Sequence, residues 1–297
     1  MRLLHSAWFV VLGAVSLSLG FGSRPAAAQE SPYFVTYDHY LEEPGNLEVE
    51  YFSTLGTVRG GNNFHAYSAE LEYGATAWWT TEVYLDGQTT FHDSTVFSGF
   101  KWENRFRPLE REHWINPILY VEYADTNGTD KTLKEIVGHD VEADALEPNA
   151  ESRREHEREI ELKLILSSTV KGWNLSENII AEKNLSNEPW EFGYSLGVSR
   201  PLGLKAAAKR CSLCRQNFVA GVEMYGGLGD RYRFGLRDTS HYLAPAVAWN
   251  LPSGWTLRLS PGFGLNDNSH RLLLRWGVSR EINGFLGMVR RAFGAKS

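Results

Sequence analysis

The chain has 297 residues, with 30 Lys and Arg against 36 Asp and Glu and a formal net charge of −6. That balance offers no basic face to a polyanion and sets nucleic acid aside as a partner. Two cysteines are too few for a disulfide framework, whereas 28 Gly, 15 Phe, 13 Tyr and 10 Trp describe an aromatic-rich, glycine-punctuated chain of the all-β kind.

The N-terminus carries Arg2, an apolar run from Trp8 to Phe21 and the small residues Ala26-Ala27-Ala28. This is the pattern of a secretory signal peptide over residues 1–28, cut after Ala28. No later segment reaches about 18 uninterrupted apolar residues, so no transmembrane helix is expected. Residues 29–46 read as a periplasmic N-terminal segment.

Strict alternation then gives twelve strand-like runs with no helical period between them. The first, 47–55, opposes Leu47, Val49 and Tyr51 to Glu48 and Glu50; 64–73 and 77–87 follow, with Glu70, Glu72 and Glu82 on the polar side. In SGFKWENRFRPL (98–109), Phe100, Trp102 and Phe106 point one way, while Lys101, Glu103, Arg105 and Arg107 point the other. The run 116–125 sets Leu119, Val121 and Tyr123 against Glu122. In 156–168, Glu157, Glu159, Glu161 and Lys163 alternate with Ile160, Leu162, Leu164 and Leu166. After 173–184, the run 188–200 carries Trp190, Phe192, Tyr194, Leu196 and Val198 opposite Glu191 and small residues. The last four are 217–226, which contains Glu223, then 241–250, 254–265 and 269–281; Arg258, Arg271 and Arg275 share the polar side of the final two.

The runs are longer than the typical ~5–6 residues of globular sheets and suit tilted membrane-spanning strands. Their even number puts both termini on one side, and tryptophans (Trp78, Trp79, Trp102, Trp114, Trp173, Trp190, Trp249, Trp255) fall near their ends. The fold expected is therefore a transmembrane antiparallel up-and-down β-barrel over residues 47–282, with lipid on the aromatic face and water on the charged face. A secreted β-sandwich that binds glycans is the soluble alternative.

With its signal peptide, its amphipathic hairpins and the closing hairpin WTLRLSPGFGLNDNSHRLLLRWGVSREI (255–282), the chain resembles bacterial outer-membrane β-barrel proteins. More narrowly it resembles the porin-like transporter group typified by the "MetA-pathway of phenol degradation" family. The resemblance implies outer-membrane lipid, the barrel-assembly machinery and a small polar or charged permeant as partners, and assigns no residue a role. The chain runs on as NGFLGMVRRAFGAKS, which makes any assembly signal internal, near Trp276-Gly277-Val278.

Glu70, Glu72, Glu82, Lys101, Glu103, Arg105, Arg107, Glu122, Glu157, Glu159, Glu161, Lys163, Arg258, Arg271 and Arg275 are the candidate lumen-lining residues, joined by Glu48, Glu50, Glu191 and Glu223. Rows of acid facing rows of base would select permeants by charge; the alternative is a filled structural barrel whose ions pair across strands. Loop 126–155, acidic through Asp130, Glu135, Asp140, Glu142, Asp144, Glu147, Glu151 and Glu155, reads as solvated. Within it Asp125 to Asp130 lacks the spacing of an EF-hand. Cys211-Ser212-Leu213-Cys214 is a disulfide candidate in a basic connection; Arg215 in place of His excludes c-type haem attachment. No cofactor or metal is expected, and no catalytic residue emerges: His92-Asp93-Ser94 only faintly matches the His-x-Ser of lipid A deacylase barrels. The tail 283–297 repeats Phe285, Val289 and Phe293 at i+4 beside Arg290, Arg291 and Lys296, as a surface amphipathic helix or a frayed terminus.

Overall fold

A computed structural model describes residues 31–132, 137–139, 146–186, 188–204 and 211–294; the predicted signal peptide lies outside them. The twelve runs form twelve strands: β1 Leu47–Thr57, β2 Phe64–Thr76, β3 Trp79–Thr90, β4 Thr95–Phe106, β5 Asn116–Asn127, β6 His156–Val170, β7 Trp173–Asn184, β8 Trp190–Pro201, β9 Phe218–Asp230, β10 His241–Asn250, β11 Trp255–Gly264 and β12 Leu272–Ile282. Each pairs antiparallel with its sequence neighbours, and β1 pairs with β12 from Leu47 opposite Ile282 to Thr57 opposite Leu272. The sheet is closed, which leaves no edge with unpaired N–H and C=O groups.

Period-two alternation decides what each face meets. On β4, Trp102 is 50% exposed and Phe100 40%, while Glu103 is 0% and Arg105 7%. Leu71, Leu85, Val121, Leu164, Ile179, Leu196, Leu243 and Leu259 continue the apolar outer wall on other strands. The core of this molecule is accordingly polar, and its greasy surface is outside. A sandwich would bury those tryptophans and leucines between two sheets; the closed order of strands rules that arrangement out.

The two ends differ. One, called here the terminal end, receives the chain from residue 46 and releases it after Ile282. Tight turns join β2 to β3, β6 to β7 and β10 to β11 there. Trp78 and Trp79 stack beside Phe106, and Phe218 stacks on Trp249 at 5.7 Å, which sets an aromatic collar on that rim. Helix α1 (Phe285–Ala292) hangs from the same rim. Asn46 Oδ1 accepts from the Gly284 N–H at 2.8 Å, and the Leu286 N–H donates to the Gly45 carbonyl at 3.1 Å. The long connection between β5 and β6 stands at the opposite, far end.

A charge placed mid-wall on the outer face of a barrel in a bilayer costs about 2–4 kcal/mol. Leu164→Arg is therefore expected to lower the unfolding free energy in lipid vesicles by that order, measured by denaturant titration. Ser195→Ala, on the inner face, should change it far less.

Candidate functional site

The inner wall carries one continuous feature. In register, Glu281 on β12 lies opposite Glu48 on β1, Glu48 opposite Glu72, Glu72 opposite Glu82, and Glu82 opposite Glu103. The row continues through Glu122, Glu161 and Glu182 to Glu191 on β8. Each step is a direct cross-strand pair, where Cβ atoms stand about 4.5–5.5 Å apart. Strands in such barrels tilt by ~35–45°, so a row perpendicular to them climbs the wall. Glu48 is the second residue of β1, at the terminal end, and Glu191 the second of β8, at the far end. The carboxylates thus form a staircase from one mouth to the other.

Like charges directly opposite one another are destabilising, and the structure shows what offsets them. Arg105 reaches Glu72 at 2.5 Å, Glu103 at 2.7 Å and Glu82 at 3.3 Å. Lys163 sits 2.8 Å from Glu161 and over the Tyr120 ring; Lys101 is 3.3 Å from Asp86. Arg258 reaches across β12 to Glu50 on β1. Phenols supply the rest: Tyr84 and Tyr37 donate to Glu103 at 2.5 and 2.9 Å, and Tyr120 to Glu122 at 2.8 Å. Cations and hydroxyls are therefore interleaved with the acids on neighbouring strands, not gathered into an opposing basic row as the sequence pattern implied. A cavity of about 780 Å³ remains, lined by fourteen carboxylates and five cationic side chains.

The segment before β1 occupies the terminal-end half of the lumen. The sequence pattern reads residues 29–46 as a periplasmic segment; residues 33–39 instead run inside the barrel. The Glu223 carboxylate accepts the backbone N–H groups of Phe34, Val35 and Thr36 at 2.9, 2.9 and 2.7 Å. Asn178 exchanges two hydrogen bonds with the Tyr37 backbone, Arg258 donates to the Tyr33 carbonyl, and Arg107 donates to that of His39. The small inward residues of β8 make the room. A Cβ on Gly197 would lie 2.7 Å from the Tyr33 ring. Burial raises the Asp38 carboxyl and lowers the His39 imidazole, so both are held nearer neutrality than in water.

The far mouth is narrowed by the β5–β6 connection. Gln88 on β3 donates to the Thr129 carbonyl at 2.6 Å and accepts the Lys131 N–H at 3.0 Å, drawing the loop inward. The Lys131 carbonyl lies 3.4 Å from His270 Nε2, just before β12 and across the mouth. Asp130 is 7% exposed, contrary to its reading as a solvated loop acid, because the loop folds into the lumen. Asp125 stays on the outer rim with Arg158 and His156, away from the buried Asp130. Asn149 donates through its N–H to Asp93 and through its side chain to Ser94, which makes the His92-Asp93-Ser94 turn an anchor for this loop. Glu135, Asp140, Glu142 and Asp144 lie outside the described residues.

Among the sequence candidates, Glu70, Glu72, Glu82, Lys101, Arg105, Glu122, Glu159, Glu161, Lys163, Arg258 and Arg275 line the cavity, and Glu103 lies buried behind it. Arg107 closes on the N-terminal segment, and Glu157 sits half-exposed near the far rim. Arg271 is a correction: it precedes β12 and is exposed on the rim, outside the lumen. Glu182, Asp86, Tyr37 and Asp38 were missed, although the alternation of β7 marks Glu182 as inward. Cys211 and Cys214 are joined in a disulfide at the terminal end, with Cα atoms 5.5 Å apart.

No family model matches the chain, and no curated protein is similar to it at the sequence level. Among solved structures it is similar to an outer membrane channel from Pseudomonas putida F1, with TM-score 0.49 and 12% identity over 88% of this chain and all of that one. It is also similar to the KdgM porin in complex with disordered oligogalacturonate (0.48, 6%, 79% of this chain and 98% of that one). LpxR from Salmonella typhimurium follows (0.40, 9%, 79% and 99%). These likenesses are of fold, which the strand register of this chain establishes by itself.

Hydrogen bonds to a charged acceptor contribute about 1.5–3 kcal/mol each. Glu223→Gln should therefore loosen residues 33–39 and speed limited proteolysis of the 31–46 segment by about tenfold or more, with the barrel itself resistant in both proteins.

Proposed function

We propose that the protein is an outer-membrane channel that passes small cationic or polar solutes through a narrow, acid-lined lumen. The single observation that carries this is the carboxylate staircase joining the two mouths. The apolar outer wall supports placement in a membrane: spanning a bilayer by strands requires a closed barrel with every backbone group paired, and this sheet is closed. The even strand number puts the terminal end on the periplasmic side.

Electrostatics sets the selectivity. Inside a low-dielectric wall, an excess of one sign of charge concentrates ions of the other sign and repels its own. Fourteen carboxylates against five cationic groups favour cations, and the pairing of Arg105, Lys101 and Lys163 with neighbouring acids leaves little free positive charge to attract anions. The N-terminal segment and the infolded loop set the bore: both stand in the axial path, and both are held by hydrogen bonds, not by covalent links.

In planar bilayers under a KCl gradient, the wild-type protein should show small conductance steps with a reversal potential of the sign for potassium over chloride. Glu122→Gln combined with Glu161→Gln and Glu182→Gln should move that potential toward zero. Removal of residues 31–41 should raise the conductance severalfold. Chloride preference in the wild-type protein would contradict the proposal; a folded barrel silent with and without residues 31–41 would favour a filled structural barrel.

A further inference from the structure

The chain continues past the barrel. β12 stops at Ile282, Gly284 turns the backbone with φ +66°, in the left-handed region that favours glycine, and α1 begins at Phe285. Its first turn is fastened to the terminal rim. Besides the bonds from Gly284 to Asn46 and from Leu286 to Gly45, the Asn46 side-chain amide donates to Glu281 and to the Asn283 side-chain oxygen. A segment held in this way is not a frayed terminus. With about 3.6 residues per turn, Phe285, Leu286, Met288, Val289, Ala292 and Phe293 fall within one arc of about 160°, and Gly287, Arg290 and Arg291 take the opposite side. Yet none of the eight helix residues is buried, and Phe293 just beyond them is 78% exposed. The barrel leaves the apolar face of α1 largely uncovered.

The surroundings say what covers it. On the outer face of the same end, Arg280 lies over the Trp255 ring at 5.1 Å, and Arg200 lies over the Trp173 ring at 5.3 Å. A cation resting on an aromatic plate suits the level where hydrocarbon gives way to headgroups. The helix therefore leaves the barrel at the depth of that boundary. Its charge agrees: residues 283–297 contain Arg290, Arg291 and Lys296 and no Asp or Glu, and both arginines are exposed in the last turn. Arginines there also complement the helix dipole, but that role needs no apolar face on the other side. The two features together are those of a helix lying in the plane of an anionic lipid surface.

We infer that α1 is a docking helix for anionic phospholipid, its apolar face sunk into the acyl boundary at the terminal rim and its Arg290 and Arg291 set among the headgroup phosphates. The barrel makes this docking an intramolecular event, so a helix too short to hold a bilayer alone suffices here. Basic residues beside an anionic leaflet strengthen the hold, and salt weakens it. The inference rests on the membrane placement proposed above and is independent of what the lumen passes.

The test uses the whole barrel with its tail in nanodiscs of phosphatidylcholine, alone or with about a third phosphatidylglycerol, whose acyl chains carry bromine as a short-range quencher. Cys211 and Cys214 are paired, so a fluorophore can be set on one introduced cysteine at a time. Phe293→Cys marks the apolar side of α1, Gly287→Cys the opposite side, where an added Cβ has nothing within 4 Å, and Leu164→Cys the outer wall. With phosphatidylglycerol present, the label at 293 should be quenched severalfold more than the label at 287. That excess should shrink severalfold in phosphatidylcholine alone and with Arg290→Glu and Arg291→Glu, whereas Arg290→Lys with Arg291→Lys should keep it. The charge-reversed barrel should retain wild-type conductance steps, which shows that it is folded. Equal quenching at 293 and 287, or an excess indifferent to headgroup and to charge reversal, overturns the inference. Shielding of the 293 label by a co-purifying protein in place of lipid overturns it too. Quenching at 164 separates the two readings: where it is present, failure at 293 removes the docking alone, and where it is absent, the membrane placement itself falls.

Discussion

Closure of β1 on β12 is the constraint from which the rest of this structure follows. Once the sheet has no edge, its backbone is satisfied within the wall, and the only freedom left is which face carries the charges. Every second residue of twelve strands must then share a confined interior. The sequence fills that interior with acid, and a continuous row of cross-strand carboxylates is not stable without partners. Arg105, held against Glu72, Glu82 and Glu103, and the phenols of Tyr37, Tyr84 and Tyr120 are how the lumen tolerates its own charge. The same groups also set the field that a solute meets.

The interior is two-sided. From β12 round to β8 the wall is acidic and encloses the cavity; β9 to β11 carry much of a packed apolar cluster beside the inward Glu223 and Arg258, with Tyr225 stacked on Tyr242 at 5.2 Å. The N-terminal segment bridges the two sides. Val35 joins the apolar cluster, while Tyr37 inserts its hydroxyl among the acids and stacks its ring edge-on to Tyr120. One short segment therefore reads both halves of the lumen, which explains why so many of its backbone groups are held by inward side chains rather than by a strand.

Much of the fold was legible in the sequence because alternation is a local property. The spacing of Lys101, Glu103 and Arg105 against Phe100 and Trp102 needs no tertiary knowledge to say that two solvents are involved, and the count of twelve strands follows from repeating that reading. Register is not local. That Glu122 meets Glu161, and Glu161 meets Glu182, depends on how far each strand slides past the next, so the inward acids were named one by one while the staircase they form was not.

The destination of the N-terminal segment was out of reach for a different reason. Tyr33 to His39 has no period that marks it as buried, and its stability comes from Glu223, Asn178, Arg107 and Arg258, which lie far along the chain. Arg271 failed for want of a boundary, since one residue beyond the first ladder pair of β12 is already on the rim.

The most direct check is a spin-label accessibility scan of residues 100–106 on β4 in lipid vesicles, using oxygen for hydrocarbon and a nickel chelate for water. A period of two is predicted, with Phe100, Trp102 and Asn104 positions favouring oxygen and Lys101, Glu103 and Arg105 positions shielded from it. Uniform exposure to the nickel chelate, or the opposite phase, would contradict a barrel whose aromatic face meets lipid and whose ionic face encloses water.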